Sequence, residues 1–288
     1  MKAAMRSLLA RACWPATRVA QGLRPGLRVL MYHRVTCLDA FDQLTVSPAR
    51  FEAQMRLLAS RRRVVGLLDG LRALREGPLL APMVAVTFDD GYLDNLIEAV
   101  PILQRYRIPA TIFVTTRFCD QVAVHPRYAA QPGPRLHLDW AEVSHLAGMP
   151  GIEIGSHTHT HPYLPRVSDA QAVDEIAGSR DVIAARLGRP VRALCYPSGD
   201  LGAREARLAR DAGYAAAVTV APGVNHADCD PMLVCRTEVT ERDDERAFML
   251  KLDGAFDPLH RLLHLRRQRR FTRERDAETR RPTGQQTP

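Results

Sequence analysis

The chain has 288 residues, of which 46% are hydrophobic, and its formal net charge is +8. This composition is sufficient for one substantial hydrophobic core and excludes a repeat protein or a collagen-like fibre. The basic charge is nearly all arginine and is concentrated near the two ends, which is compatible with an anionic partner. Because aromatic residues are not interleaved with these arginines, nucleic-acid binding is not expected.

The six cysteines are scattered and form no Cys-x-x-Cys pair, so they predict neither a disulfide framework nor a thiolate zinc site. A secretory signal needs an uninterrupted apolar run of about 7–15 residues. Arg6, Arg11 and Pro15 interrupt the first twenty residues, which leaves a basic amphipathic helix at a membrane surface as an alternative. We therefore expect a cytoplasmic protein, with peripheral contact between its basic ends and the anionic inner membrane surface as a further hypothesis.

Short apolar runs alternate along the chain with longer segments of helical periodicity. In chain order, the predicted strands are 28–32, 64–65, 84–88, 110–115, 152–155, 191–195, 215–220 and 232–236. The predicted helices are 48–60, 67–75, 94–106, 140–147, 168–187, 203–212 and 243–252. This alternation predicts a parallel sheet, either open or closed into a barrel.

The domain organisation follows from these elements and from the charge distribution. We assign residues 1–26 to a basic N-terminal segment and residues 27–257 to the folded domain. Residues 258–288 are expected to form a basic, disordered tail, with a basic helix over 260–270 as the alternative.

Polar residues directly follow four of the predicted strands. His33 follows the first, Asp89 and Asp90 the third, His157 the fifth, and Tyr196-Pro197-Ser198 the sixth. In α/β barrels the loops after the strands converge on one face, where the reacting residues lie. These four segments therefore predict an active site at the carboxyl ends of the strands.

Two of these segments carry residue types that suit metal chemistry. Asp89 and Asp90 precede Gly91, whose freedom to turn allows both carboxylates to reach one cavity, although Asp-Asp-Gly is also ordinary turn chemistry. If residues 157–161 are helical, His157 and His161 share a face and can bind one ion, while His159 points elsewhere.

Thr87–Gly91 and His157–His161 resemble two motifs of the polysaccharide deacetylases, the NodB-homology domain of carbohydrate esterase family 4. Further resemblance to one branch lies in Met31–Val35, Leu138–Trp140, Tyr196–Gly199, Val220–Gly223 and Cys235-Arg236. The resemblance implies an α/β fold, a distorted (β/α) barrel of about seven parallel strands. It also implies one divalent ion held by Asp90, His157 and His161, with zinc expected and cobalt, nickel or iron as alternatives.

The resemblance also suggests roles for other residues. Asp89 would be the catalytic base, and Tyr196, Pro197, Ser198 and Trp140 would contact the substrate or the oxyanion. The family often has an arginine where Cys195-Tyr196-Pro197-Ser198 stands, and we expect Arg236 to substitute for it. The motif that supplies the family's general acid is not evident; His33 is our candidate, and His226 is the second.

These features predict a metal-dependent hydrolase that removes N-acetyl groups from an N-acetylated glycan and releases acetate. The glycan is either a polysaccharide or a sugar linked to a lipid carrier at the inner membrane face. The alternative from another class is a catalytically silent carbohydrate-binding barrel, which the missing arginine favours and the intact aspartates and histidines disfavour.

Overall fold

Seven parallel strands form a nearly closed barrel in the computed structural model, which describes residues 2–129, 135–199 and 201–267. The strands are β1 Leu27–Tyr32, β2 Arg34–Val35, β3 Thr45–Val46, β4 Arg63–Val64, β5 Met83–Phe88, β6 Ala110–Val114, β7 Ile152–Ser156, β8 Ala193–Cys195, β9 Ala216–Val218 and β10 Arg236–Glu238. The barrel order is β10, β1, β5, β6, β7, β8, β9, and β4 pairs with β5 outside this path. Because Val218 of β9 pairs with Val234, just before β10, the two edges of the sheet meet. The predicted barrel of about seven strands is confirmed.

Helices follow most of the barrel strands, as the alternating pattern predicted. They are α1 Lys2–Leu23, α2 Pro48–Arg61, α3 Leu67–Glu76, α4 Val100–Tyr106, α5 Thr116–Cys119, α6 Trp140–Ala147, α7 Asp169–Val173, α8 Ser179–Leu187, α9 Ala203–Asp211, α10 Glu245–Leu252 and α11 257–267. Wider helical turns, Asn95–Ala99 and Asp174–Gly178, join α4 and α8 to the residues before them. Capping boxes begin two of the helices: Asp139 with Glu142 at α6, and Ser168 with Gln171 at α7.

Successive residues of each strand face opposite sides of the barrel wall. On β5, Val84, Val86 and Phe88 pack in the larger apolar cluster with the surrounding helices. Met83 and Ala85 belong instead to a smaller cluster with Leu27, Val29 and the apolar side chains of α3. This second set faces the barrel interior. Thr87 lies on the same side of β5, and so does Asp89, two residues further on.

The last strand begins where the sequence predicted that it would end. The predicted strand was 232–236, whereas β10 is Arg236–Glu238. The reason lies in the side-chain amide of Asn225. It accepts the backbone N–H of Cys235 at 2.8 Å and donates to the Cys235 carbonyl at 2.9 Å. Those backbone groups are therefore not available to a neighbouring strand. Arg236 still enters the sheet, paired in register with Val29 of β1.

The two terminal helices pack on the barrel. Ala10 of α1 contacts Leu250, Ala255 and Phe256, and the indole N–H of Trp14 donates to Asp253 at 2.8 Å. In α11, Asp257 accepts two hydrogen bonds from the buried guanidinium of Arg28, at 3.0 Å and 2.9 Å. Residues 258–267 are thus helical, which contradicts the predicted disordered tail and agrees, over 260–267, with the alternative of a basic helix. Residues 268–288 lie outside the described residues. Within the described ranges, no helix combines the length and apolar character needed to cross a bilayer.

Candidate active site

The polar residues that follow the strands meet in a cleft of about 600 Å³ at the carboxyl ends of the strands. His33, Asp89, Asp90, His157 and His161 all line this cleft, together with Arg236 from the start of β10. The sequence prediction that these separate segments converge is therefore correct. The loop between β2 and β3 contributes Gln43 and Leu44 to the wall.

Asp90, His157 and His161 form a compact cluster of potential metal ligands. Oδ1 of Asp90 lies 3.3 Å from Nε2 of His157 and 3.4 Å from Nε2 of His161. The ligand atoms of the three residues all lie within 4.8 Å of one another. Asp90 and His157 are buried, and His161 is open to the cleft on one side.

The segment that carries the two histidines is a loop and not the helix that the spacing predicted. Thr158 and His161 adopt left-handed backbone angles, with φ values of 69° and 57°. The buried carboxylate of Glu175 holds this loop, because it accepts the backbone N–H groups of His159 and Thr160 at 2.7 Å and 3.0 Å. The prediction that His157 and His161 approach one another is correct, but the helical reason given for it is wrong.

The donor set fits a divalent cation. Nδ1 of His157 donates to the carbonyl of Cys195 at 2.7 Å, which fixes the ring so that Nε2 faces Asp90. Burial lowers the pKa of His161 to about 4, so this imidazole is neutral at neutral pH. Burial also acts to lower the pKa of His157, but the neighbouring Cys195 and Asp90 raise it well above its usual value, so a cation bound at Nε2 would displace a proton. Oδ1 of Asp90 is buried and has no hydrogen-bond partner among the described residues. A buried carboxylate oxygen without a partner is costly, and a cation between the three residues would satisfy it.

Asp89 is held by a buried arginine. The Arg236 guanidinium donates from its two terminal nitrogens to the two Asp89 oxygens, both at 2.7 Å. The remaining contacts of the guanidinium are with the Thr219 carbonyl, the Thr87 hydroxyl and the Cys195 sulfur. Burial alone would raise the pKa of Asp89, but the Arg236 charge lowers it below its usual value. Arg236 thus contacts Asp89, as we expected when we proposed that it substitutes for the family's arginine.

His33 and Ser198 also face the cleft. Nε2 of His33 lies 3.8 Å from Oδ2 of Asp89, within the same polar cluster. Ser198 lies in the short helical turn Pro197–Gly199 with a left-handed φ of 58°. Tyr196, which precedes this turn, lines the cleft, whereas Pro197, the first residue of the turn, is buried.

Residues 76–217 match the family model described as polysaccharide deacetylase. The protein carries a polysaccharide deacetylase domain. This match and the relatives confirm the resemblance inferred from the motifs. Asp89, Asp90, His157 and His161 lie within the matched range, and His33 and Arg236 lie outside it.

Similar proteins cover most of the chain. The candidate polysaccharide deacetylase YxkH of Bacillus subtilis (strain 168) is 27% identical over 77% of this chain and 74% of its own length. A poly-β-1,6-N-acetyl-D-glucosamine N-deacetylase of Staphylococcus aureus (strain MSSA476) is 26% identical over 54% of each chain. The Streptococcus pyogenes deacetylase PplD, solved with acetate, has a TM-score of 0.70 at 22% identity and covers 80% of this chain and 99% of its own. That likeness supports the barrel fold of the deacetylase domain.

Two residues proposed for the site lie away from the cleft. Trp140 was expected to contact the substrate, but its indole N–H donates to Asp120 at 2.8 Å and its ring lies under the Arg186 guanidinium. As the first residue of α6, it packs against the apolar cluster outside the barrel. His226 lies beside Gly26, which immediately precedes β1, and so it is at the opposite end of the strands from the cleft. It is therefore not placed to act as the acid.

Sequence reasoning missed three histidines at this cleft, and it gave the helix that carries two of them only as the alternative to a disordered tail. His125, from the loop after α5, and His260 and His264, from α11, line the cleft. Positions 260, 263, 264 and 267 fall on one face of α11, and all four line the cleft. The spacing of residues 260–267 was the available signal, but the basic composition favoured a solvated tail over the alternative helix. Isolated histidines carry no such signal.

Proposed function

We propose that this protein is a metal-dependent hydrolase that removes N-acetyl groups from an N-acetylated glycan, releasing acetate and leaving an amino sugar. One observation carries the proposal. The unpartnered Oδ1 of Asp90 faces two imidazole nitrogens, in the same cleft as a second aspartate that is fixed by a buried arginine. The cation ligand Asp90 and the catalytic carboxylate of Asp89 are thus adjacent in sequence but contact different residues.

Asp90, His157 and His161 would hold the cation, with zinc expected and cobalt, nickel or iron compatible with the same donors. When bound, a divalent cation lowers the pKa of water and polarises the acyl oxygen of an amide. Three protein ligands leave further positions open to water and substrate, as catalytic sites require.

Asp89 would act as the general base and accept a proton from water while the water oxygen attacks the acetamide carbon. The ion pair with Arg236 keeps the Asp89 carboxylate ionised and fixes both of its oxygens. Asp89 is therefore a weaker base than a free carboxylate, but its position is defined. A fixed orientation can lower the barrier by more than the lost basicity raises it.

His33 would donate the proton that the leaving nitrogen requires, since it lies beside Asp89 and lines the same cleft. The backbone N–H of Ser198 would stabilise the oxyanion that develops on the acyl oxygen, with Tyr196 and Pro197 shaping the turn that presents it. The C–N bond breaks, water supplies the oxygen and protons, and the products are acetate and a free amine.

The choice of an N-acetylated glycan draws on the domain and its relatives. The S. aureus relative is named as a deacetylase of poly-β-1,6-N-acetyl-D-glucosamine. A substrate linked to a lipid carrier is the finer proposal, and the basic residues near both ends of the chain support it. A catalytically silent binding barrel is not favoured, because Asp89, Asp90, His157 and His161 are all present and assembled.

Release of free amine from defined oligosaccharides tests this function. Purified protein, loaded with zinc, is incubated with β-1,6- and β-1,4-linked N-acetylglucosamine oligomers, and amine and acetate are measured together. We expect equal amounts of both products from at least one linkage, and about two to four orders of magnitude slower release with Asp89→Asn. Metal-loaded protein that binds an oligomer without releasing either product would support the silent binding barrel instead.

A further inference from the structure

Two histidines from the segment that follows α5 approach Asp90 through atoms other than Oδ1. Nδ1 of His137 lies 3.0 Å from the backbone carbonyl oxygen of Asp90. Nε2 of His125 lies 4.0 Å from Oδ2, the carboxylate oxygen that does not face His157 and His161. The backbone and both carboxylate oxygens of Asp90 therefore each have a histidine neighbour.

His137 is fixed by stacking and by hydrogen bonds to both of its ring nitrogens. Its ring stacks on Tyr92 and Phe118, at centroid distances of 4.9 Å and 4.3 Å. Nε2 accepts the backbone N–H of His125 at 3.1 Å, so in the neutral ring Nδ1 carries the proton and donates to Asp90. The left-handed φ of 68° at Asp90 is thereby tied to the backbone position of His125.

The tautomer of His125 follows from the same kind of contact. Its Nδ1 accepts the backbone N–H of Arg127 at 3.2 Å, so its Nε2 carries the proton and faces Oδ2 of Asp90 as a donor. With no lone pair on Nε2, His125 is not a further ligand in this arrangement. At 4.0 Å the contact is electrostatic and longer than a full hydrogen bond.

We infer that His125 is a positioning residue for the cation site, and that its Nε2–H holds Oδ2 of Asp90 so that Oδ1 alone faces the cation. This inference rests on the proposed function, because it requires the cation to bind at Asp90, His157 and His161. Groups that orient a ligating carboxylate typically change metal affinity by about 10- to 100-fold when they are removed.

Zinc affinity, measured by competition with a chromophoric chelator, tests the inference without reference to activity. His125→Leu fills the space without a donor, whereas His125→Gln keeps an N–H near the position of Nε2. We expect His125→Leu to weaken zinc binding by about 10- to 100-fold and His125→Gln to recover most of that loss. The matched control is His145→Ala, an exposed histidine of α6, which should bind zinc as tightly as the wild type.

His161→Ala separates the two levels of the proposal. If His161→Ala loses zinc but His125→Leu binds it as tightly as the wild type, the positioning role is wrong and the cation site stands. If His125→Gln and His125→Leu bind zinc equally weakly, the N–H donor at position 125 is not responsible for the affinity, and the positioning role is again wrong. If His161→Ala also retains zinc, the proposed site itself is wrong. Thermal unfolding of each chelated variant shows that the folds compared are equivalent.

Discussion

At the scale of single residues, the adjacent carboxylates of Asp89 and Asp90 are distinguished by what they contact. Asp89 faces the barrel interior and is bound by the Arg236 guanidinium through both oxygens. Asp90 adopts a left-handed backbone, and its Oδ1 faces two imidazole nitrogens. The proposed division into base and ligand therefore follows from the backbone geometry at the end of β5 and not from a difference in residue type.

Asp89→Asn is predicted to retain zinc while losing turnover by about two to four orders of magnitude, because the amide cannot accept the proton of water. Zinc content and kcat on an N-acetylglucosamine oligomer are measured on the same preparation. Asp228→Asn, which alters an exposed partner of Arg24, is the control and should keep both values. A near-normal rate for Asp89→Asn would mean that another group is the base.

Arg236→Met is predicted to lower the free energy of unfolding by about 3–5 kcal/mol, because it leaves the buried Asp89 carboxylate without its partner. Urea unfolding measures the change. The comparison is Arg56→Met, which removes an exposed ion pair with Glu245 and should cost less than about 1 kcal/mol. Adding Asp89→Asn to Arg236→Met should restore part of the loss, and no restoration would contradict a pairwise interaction.

At the scale of elements, the sequence was most informative where a strand ends in polar residues. The apolar runs and the residues after them were sufficient to predict β5 with Asp89 and Asp90, and β7 with His157. Contacts made by segments distant in the sequence were not predictable in this way. Examples are Glu175, which holds the histidine loop, and His125, whose position depends on the stacked ring of His137. Trp140 was chosen because it lies in a motif that resembles the family, whereas its contacts with Asp120 and Arg186 place it away from the cleft lining.

Helix α11 is predicted to determine how tightly substrate binds. Leu263 and His264 line the cleft, so replacing both by alanine removes contact area and should raise KM by about tenfold with kcat little changed. The matched pair, Leu262→Ala with Leu265→Ala, lies on the same helix at exposed positions outside the cleft lining and should leave KM unchanged. Equal effects of the two pairs would indicate helix destabilisation and not substrate contact.

At the scale of the whole molecule, the cleft lies at the carboxyl ends of the barrel strands. Helix α1 leads into the other end of the barrel, where β1 begins. Val19 and Leu23 of α1 are 62% and 83% exposed, among arginines that include Arg18 and Arg24. Apolar side chains bordered by basic ones are the pattern expected of a helix that contacts an anionic bilayer. A surface of this kind would concentrate the protein at the leaflet that carries lipid-linked sugars.

Binding to anionic liposomes is therefore predicted to occur at low salt and to weaken at high salt, since each arginine near the leaflet contributes about 1 kcal/mol and salt screens it. Flotation compares the wild type with a variant carrying Val19→Ser, Leu23→Ser and Arg18→Ser. We expect the variant to float less while its activity on a soluble oligomer is unchanged. If neither protein floats at low salt, the membrane contact is wrong and the lipid-linked substrate loses its support.

The central claim is that one cation at Asp90, His157 and His161 is required for amide hydrolysis, and stepwise reconstitution tests it most directly. Chelated protein is titrated with zinc while the release of free amine from an N-acetylglucosamine oligomer is followed. The rate should rise from background and reach its plateau at one equivalent per chain, and His161→Ala should stay at background throughout. Full activity of the chelated wild type, or restoration of His161→Ala at one equivalent, would contradict the proposed site.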